Sequence, residues 1–330
     1  MARTKLTALL GRFRIQDGVY SISESRSFQH PEEAYDQQYG SNDIRLDSLR
    51  EEGAKLFNFF EAYGFRDCGP VLEIGCGTGR LSIPLAVSGR LEELLLTDAS
   101  RAFCAITSRK LTSLKAPLPR VSMAVLLTED LDRLPQKAFS AVLLRSVLHH
   151  VADIPAFFGA VSRILAPGGL LIFEEPCHEG YLLMGAITQL IPDALRGRGI
   201  SLSSVQSDRI RFFVSTMQFY ARRDIDKSLA EDKHLFRPDE LMSLSHRHHM
   251  ELQFFPNRSL DNIDKRTECL PNTYFETFYL DYLKYCMSWD EELLKLFSEE
   301  VRPYFEYFSC LAGNNALPYT YGTFLCRKLP

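Results

Sequence analysis

The chain has 330 residues, 45% hydrophobic and 24% charged, with a formal net charge of −4 and a pI near 6.1. At roughly 150 residues per domain that length allows about two domains, and the composition of an ordinary globular protein excludes wholesale disorder. The weakly acidic balance argues against general nucleic-acid affinity, and the longest apolar runs, Met123–Leu127 and Ala141–Leu144, fall far short of the roughly 20 residues that span a bilayer.

Met1–Leu10 sets basic residues before an apolar part too short for a signal peptide. Residues 11–22 alternate around Asp17-Gly18, a two-residue hairpin turn, and a loop with Pro31 follows. Leu46, Leu49, Leu56, Phe57, Phe60 and Tyr63 recur at helical spacing, and Gly64 stops that helix. Val71–Ile74 is a short apolar strand, with a helix from about Gly79. Glu93–Asp98 is a second strand, followed by a helix from Ser100 to about Leu114. Val121–Leu127 and Ala141–Val147 read as the third and fourth strands. Ile154–Leu165 is a helix closed by Pro167-Gly168-Gly169, and Leu170–Phe173 is a fifth strand. Strands separated by helices of about 10 to 15 residues imply parallel βαβ units. The fold class is therefore α/β, a doubly wound, Rossmann-like, mostly parallel sheet.

After Pro176 the alternation stops. Residues 181–233 read as helical, Pro238 opens a further helix, and Glu251–Phe255 reads as a strand. Residues 272–311 are helical and aromatic. Within them Ser288–Glu291 has capping-box spacing, and Pro303 is expected to kink or break the helix. Thr323–Cys326 offers a last strand. The expected organisation is an N-terminal hairpin and lid segment over 1–44 and a core over 45–176. A large, mainly helical cap then covers 177–320, with a sheet strand near 251–255, and 321–330 adds a final core strand.

The segment Val71-Leu-Glu-Ile-Gly-Cys-Gly-Thr-Gly-Arg80 closes a strand and opens a helix through Gly75, Gly77 and Gly79. Without Cβ atoms a ligand can press against the backbone, and a helix N-terminus presents free N–H groups. A dinucleotide fingerprint, G-x-G-x-x-G, would need glycine where Arg80 or Ser82 stands.

The E-x-G-x-G-x-G form instead resembles the first motif of class I S-adenosylmethionine-dependent methyltransferases. Leu94–Asp98 resembles their second strand, ending in an acid. Thr128–Pro135 holds Asp130 where the family has an acid near the adenine amino group. Phe139–Val151 resembles their fourth strand with its Leu-His-His ending, and Leu165–Glu175 their post-helix turn and fifth strand. The resemblance covers about residues 45–176 together with the terminal strand. Ser140 stands where the family often has Asp, so no acidic role falls there.

The resemblance implies S-adenosyl-L-methionine as cofactor. Glu73 and the loop residues Gly75, Cys76, Gly77 and Gly79 would lie against its methionine moiety, and Asp98 would hold the ribose. Ala99, Asp130 and Leu131 would surround the adenine, with Arg145 along the sulfonium side. The N-terminal segment, with Tyr35 and Tyr39, would fold over the cofactor. In similar small-molecule O-methyltransferases a His of the Leu-His-His motif works with an acid at the end of the fifth strand. Here these are His149 or His150 with Glu175, and His178 and Glu174 stand in reserve. An acid beside a His fixes its tautomer and stabilises the imidazolium. The alternative is that the histidines only pack at the start of a helix. His246, His248 and His249 lack a completing cysteine or acid, so no metal is expected.

Cys68, Cys76, Cys104, Cys177, Cys269, Cys286, Cys310 and Cys326 form no Cys-x-x-Cys pair and read as reduced thiols of a cytoplasmic protein. No basic tail and no Asn/Asp-Pro-Pro-Tyr/Phe motif is present, and Pro176-Cys177 follows the fifth strand, not the fourth. The expected acceptor is a small organic molecule methylated at oxygen, with neither nucleic acid nor membrane as partner. Methylation at nitrogen or carbon, or of a protein side chain, stays open, as does a non-methylating binding or regulatory module. Aromatic residues make up 12% of the chain, with 23 Phe and 14 Tyr against a single Trp. Many lie in 272–311, where they line an acceptor pocket, form the cap's own core, or build a homodimer interface.

Overall fold

The computed structural model describes residues 6, 8–26, 32–39, 45–66, 69–265, 273–312 and 318–330. Pro31, Cys68, Cys269 and the first five residues lie outside them. Among the described residues the strands are β1 (Ile15–Gln16), β2 (Val19–Ser21), β3 (Val71–Ile74), β4 (Glu93–Asp98), β5 (Arg120–Val125), β6 (Phe139–Arg145), β7 (Leu165–Pro176), β8 (Met250–Pro256) and β9 (Tyr321–Lys328). They form one sheet in the order β1-β2-β5-β4-β3-β6-β7-β9-β8. The run from β2 to β7 is parallel, while β1, β9 and β8 pair antiparallel. This is the doubly wound arrangement that the strand–helix alternation implies. The β1–β2 turn uses positive φ at both Asp17 and Gly18, as a two-residue hairpin requires.

β3 and β4 are buried along their whole length, which is why they read as apolar runs without polar alternation. One sheet face, with Leu72, Ile74, Val142, Leu144, Leu171 and Phe173, packs on Phe157, Phe158, Val161 and Ile164 of the helix Ile154–Ile164. The other face, with Leu94, Leu96, Leu143 and Ile172, meets Leu49, Leu56, Phe57 and Phe60 of the helix Leu46–Ala62. From β3 the chain adds β4 and β5 to one side, then β6 and β7 to the other. The carboxyl ends of β3, β4, β6 and β7 therefore border the topological switch point, where open α/β sheets take their ligands.

Between β7 and β9 the chain inserts helices His178–Gly197, Ser204–Ala221 and Pro238–Arg247, then β8 and a 3₁₀ turn over Leu260–Lys265. The helices Tyr274–Asp281 and Glu291–Ala312 follow, with a π turn at Tyr282–Cys286 between them. Many of the aromatic residues are used here. Phe275, Tyr279, Trp289, Phe297 and Phe305 join Met184, Ile187, Ile191 and Phe213 in a third core, separate from the two on the sheet. The spacing 275, 279, 283 and 293, 297, 301, 305 keeps one face of each helix inward.

Several local expectations change. The helix after the glycine loop starts at Ser82, not Gly79, and ends at Val87. Residues 181–233 hold two helices, and 222–237 form no helix or strand of their own. Asp290, not Ser288, caps the last helix: its Oδ1 accepts the Leu293 amide at 2.8 Å, while Ser288 takes a positive φ. Pro303 does not break that helix, which runs from Glu291 through Ala312. Burial of Leu293, Phe297, Val301 and Phe305 on both sides of the proline outweighs the one backbone hydrogen bond it removes.

The cap core also carries a testable polar contact. The buried Tyr279 hydroxyl donates to the Met184 carbonyl and meets the Thr188 hydroxyl. Tyr279→Phe is expected to cost about 1–2 kcal/mol, read as a lower urea midpoint at unchanged m-value.

Candidate functional site

The strand β3 ends in a turn with positive φ at Gly75, Gly77 and Gly79. At Gly75 a Cβ would stand 2.3 Å from Val147 Cγ2, so both space and conformation demand glycine. At Gly77 the reason differs. Nothing lies within 4 Å of the missing Cβ, so the backbone there borders open space. The turn is clamped to β4 by the Gly75 and Cys76 amides, which donate to Thr97 O at 2.8 and 2.9 Å. Cys76 itself is 3% exposed, which leaves its backbone as the part able to face a ligand. Beneath the turn, Glu73 is buried and accepts the Ser82 hydroxyl at 2.6 Å. Burial pushes the Glu73 carboxyl up to about 8, against the opposing hydrogen bond from Ser82.

Asp98 closes β4 beside this turn. Its two oxygens accept the Gly77 amide at 2.9 Å and the Ser100 amide at 2.8 Å. Burial raises its carboxyl to about 6, and the hydrogen bonds from Ser100 and Gly77 hold it from rising further. Next to it, Ala99 O accepts the Arg26 amide at 2.9 Å. Asp130 accepts the Ser23 hydroxyl at 2.6 Å and pairs with Arg133 at 3.1 Å, whereas Leu131 is fully buried in the core. The helix Glu32–Tyr39 lies over this side. Glu32 accepts the Ser100 hydroxyl at 2.6 Å, Asp36 pairs with Lys110, and the Tyr35 ring meets Phe103 edge-on with centroids 5.5 Å apart. Burial raises the Tyr35 hydroxyl, with Arg80, Arg145 and Asp98 within electrostatic reach. Of Tyr39 only the backbone is described.

Across the switch point, Glu175 lies near the end of β7 with its side chain fully buried. Oε1 accepts the Val147 and Leu148 amides at 2.8 and 2.5 Å, and Oε2 lies 2.5 Å from His149 Nδ1. The Glu175 oxygen is an acceptor here, so Nδ1 donates to it, which leaves Nε2 as the ring nitrogen that can exchange a proton. His150 turns the other way. Its Nδ1 lies 3.0 Å from the Glu231 carbonyl and 3.1 Å from Asp232 Oδ1. Burial opposes its charge, but Asp232 and the Glu231 carbonyl raise the His150 pKa above the ordinary value. His149 and Glu175 are thus a pair, and His150 is partnered elsewhere.

Arg145, at the end of β6, makes a bidentate pair with Asp261 at 2.8 and 2.6 Å, and its Nε stands 3.8 Å from Glu174. Arg80 reaches the same Asp261 carboxyl at 2.6 Å. Although burial works against it, Arg145 and Arg80 hold the Asp261 carboxyl below its ordinary range. Glu174 accepts the Leu260 amide at 2.7 Å, and burial raises its carboxyl despite Arg145.

Asp232 and Asp261 escaped the reading of the sequence. Both sit in the inserted segment, in stretches without hydrophobic periodicity, and reach the strand ends only through long-range folding. A run such as Glu231-Asp232-Lys233-His234, polar but lodged between two helices, is the one local signal that could have pointed to Asp232. His178 opens the first cap helix through its amide, which donates to Phe236 O at 2.9 Å. Among the described residues no helix is long and apolar enough to cross a membrane.

Residues 72–173 match the methyltransferase-domain family. Over 138 residues the chain is 31% identical to a ubiquinone biosynthesis O-methyltransferase of Bradyrhizobium sp. (strain ORS 278), covering 40% of this chain and 49% of that protein. A ubiquinone biosynthesis O-methyltransferase of Rhizobium etli is 35% identical over 135 residues, which cover 39% and 50%. The reducing polyketide synthase Preu2 of Preussia isomera is 27% identical over 178 residues, half of this chain but 7% of the synthase. The chain thus spans about half the length of these O-methyltransferases. Among solved structures, phosphoethanolamine N-methyltransferase 2 of Haemonchus contortus in complex with S-adenosyl-L-methionine superposes with a TM-score of 0.48 at 15% identity, covering 91% of this chain and 57% of that one.

Proposed function

We propose, for a chain that belongs through residues 72–173 to the class I S-adenosylmethionine-dependent methyltransferases, that it methylates a hydroxyl of a small organic acceptor. The observation that carries this reading is the His149–Glu175 pair, 2.5 Å apart, at the strand ends across from the glycine turn and Asp98. The pocket side of that turn fits the cofactor. Open space over Gly77 admits a ligand against the backbone, and Asp98 presents a carboxyl already oriented by two amides. Glu73, Gly75, Cys76, Gly77 and Gly79 would hold the methionine end, Asp98 the ribose, and Ala99 and Asp130 the adenine, with Leu131 packed in the core behind them. Arg145 would bound the sulfonium side.

S-Adenosyl-L-methionine, when bound, supplies an activated methyl group on its sulfonium. The residues of this chain do the rest. Much of the rate comes from holding acceptor and donor in line. Glu175 fixes the His149 ring and its tautomer, so that Nε2 can accept the proton of the acceptor hydroxyl. The partly buried rings at the edge of the cap core, Tyr181, Phe278 and Tyr282, suit an apolar or aromatic acceptor. The likeness to O-methyltransferases of ubiquinone biosynthesis supports oxygen as the methylated atom. The six free thiols among the described residues support a cytoplasmic setting.

Calorimetric titration with S-adenosylhomocysteine tests the premise, and absence of binding at sub-millimolar concentration would sink it. Its pH dependence is also expected. Asp98 must be ionised to accept the ribose hydroxyls, and its carboxyl titrates near 6. Affinity should be flat above pH 6 and fall below it, by up to about tenfold per unit. The sign for folding is the reverse. A carboxyl raised above its unfolded value destabilises the fold near neutrality, and this cost is relieved as pH falls from about 6 towards 4. Weaker binding at low pH with undiminished fold stability would therefore distinguish Asp98 protonation from acid unfolding.

A further inference from the structure

Asp232 lies in the stretch 222–237, between two cap helices, yet it stands against the end of β6. Its neighbours fix it there. The Lys233 amide donates to His149 O at 2.8 Å, His150 Nδ1 meets Glu231 O at 3.0 Å, and His234 Nε2 meets Val151 O at 2.9 Å. Asp232 Oδ1 is 3.1 Å from His150 Nδ1 and 3.5 Å from His149 Nε2, and Oδ2 accepts the Tyr220 hydroxyl at 3.1 Å. The His149 imidazole therefore has a carboxyl on each edge. Glu175, from the core, bonds Nδ1; Asp232, from the inserted segment, faces Nε2. A separation of 3.5 Å is long for a hydrogen bond but short for the field of an ion.

We propose that Asp232 is a positioning residue for methyl transfer, holding an anion against the Nε2 edge of His149 so that docking of the inserted segment sets the basicity of that imidazole. The proposal rests on the reading of His149 as the base. The groups facing His149 are Glu175 from β7, His150 from its own turn, and Asp232 and His234 from the stretch 222–237, while Lys227 and Lys233 act on His234. Of the cations, His150 is paired with Asp232, and the Lys233 ammonium is turned onto the Ala230 and Glu231 carbonyls at 2.6 and 3.3 Å. The two carboxyls are the opposite charges nearest the ring. Burial works against ionisation of Asp232, but the hydrogen bond from His150, the nearby His149 and the Tyr220 hydroxyl hold its carboxyl at about 2. It stays an anion wherever a histidine titrates. A proton taken up at Nε2 then faces Oδ1, and Asp232, with 43% of its side chain exposed, opens the way to water.

The test is the titration of the His149 Cε1–H resonance by NMR in the full chain saturated with S-adenosylhomocysteine, assigned by its loss in His149→Gln. Asp232→Asn is expected to lower that pKa by about one unit, a tenfold loss of proton affinity, while Asp232→Glu keeps it near the wild-type value. Asp232→Ser repeats the measurement with a smaller side chain should the amide disturb folding. A His149 titration in Asp232→Asn and Asp232→Ser that coincides with the wild type overturns the proposal. Undiminished methyl transfer from labelled S-adenosyl-L-methionine to catechol by His149→Gln would instead remove the base reading beneath it. A cation is the competing use of these groups, because ligand atoms of His149, His150 and Asp232 all lie within 4.8 Å of one another. Stoichiometric Zn²⁺ binding by calorimetry, abolished in Asp232→Asn and matched by chelator-sensitive methyl transfer, would also overturn it.

Discussion

Asp98→Ala is expected to weaken S-adenosylhomocysteine binding by at least about 100-fold, measured by calorimetric titration at pH 7.5. Two effects add. A carboxylate that accepts both ribose hydroxyls makes two charge-assisted hydrogen bonds, each worth roughly 1.5–3 kcal/mol when its partner is lost to an alanine. The same side chain also accepts the Gly77 and Ser100 amides, so its removal frees the outer part of the glycine turn. The fold should survive. Asp98 carries a desolvation cost of its own, seen in its raised pKa, and losing that cost offsets part of the penalty for two unpaired amides. An affinity within threefold of the wild type, in a variant that melts normally, would remove Asp98 from the ribose.

The part of the site that could be read from the sequence is the part built by local geometry. The glycine turn had to follow a strand, and Asp98 had to end the next one, because each lies a few residues from the element that places it. His149 and Glu175 could be paired because consecutive parallel strands put their carboxyl ends side by side. The N-terminal hairpin was legible from Asp17-Gly18 for the same reason. What could not be read came from tertiary contact. Asp261 reaches Arg145 across 116 residues of chain, and Asp232 reaches His149 from a stretch with no periodicity. Pro303 does not end its helix, because the rule that it should is local, whereas the burial of Phe297 and Phe305 that outweighs it is not. The aromatic residues of 272–311 were visible as a surplus. Their sorting into a cap core around Tyr279 and a rim with Phe278 and Tyr282 needed the path of the helices.

Glu175→Gln and His149→Ala are each expected to lower turnover by roughly 100- to 1,000-fold while leaving the dissociation constant for S-adenosylhomocysteine within about twofold. The glutamine variant is the more telling of the two. It keeps the shape of a fully buried side chain whose Oε1 accepts the Val147 and Leu148 amides. With the amide oxygen held by those donors, the –NH₂ group must face His149 Nδ1 as a donor. Nδ1 then has to accept, the proton moves to Nε2, and the nitrogen proposed to take the acceptor's proton can no longer do so. Geometry is preserved and the tautomer is wrong. His149→Ala reaches the same end by deleting the proposed base, so the double variant should be no slower than the worse single one, the signature of residues that act as a unit. His150→Ala should cost only a few-fold, since its ring nitrogen is turned to Glu231 and Asp232. Labelled methyl transfer to whichever simple phenol the wild type accepts provides the readout. Full turnover in both Glu175→Gln and His149→Ala would dissolve the pair and leave proximity alone to account for the reaction.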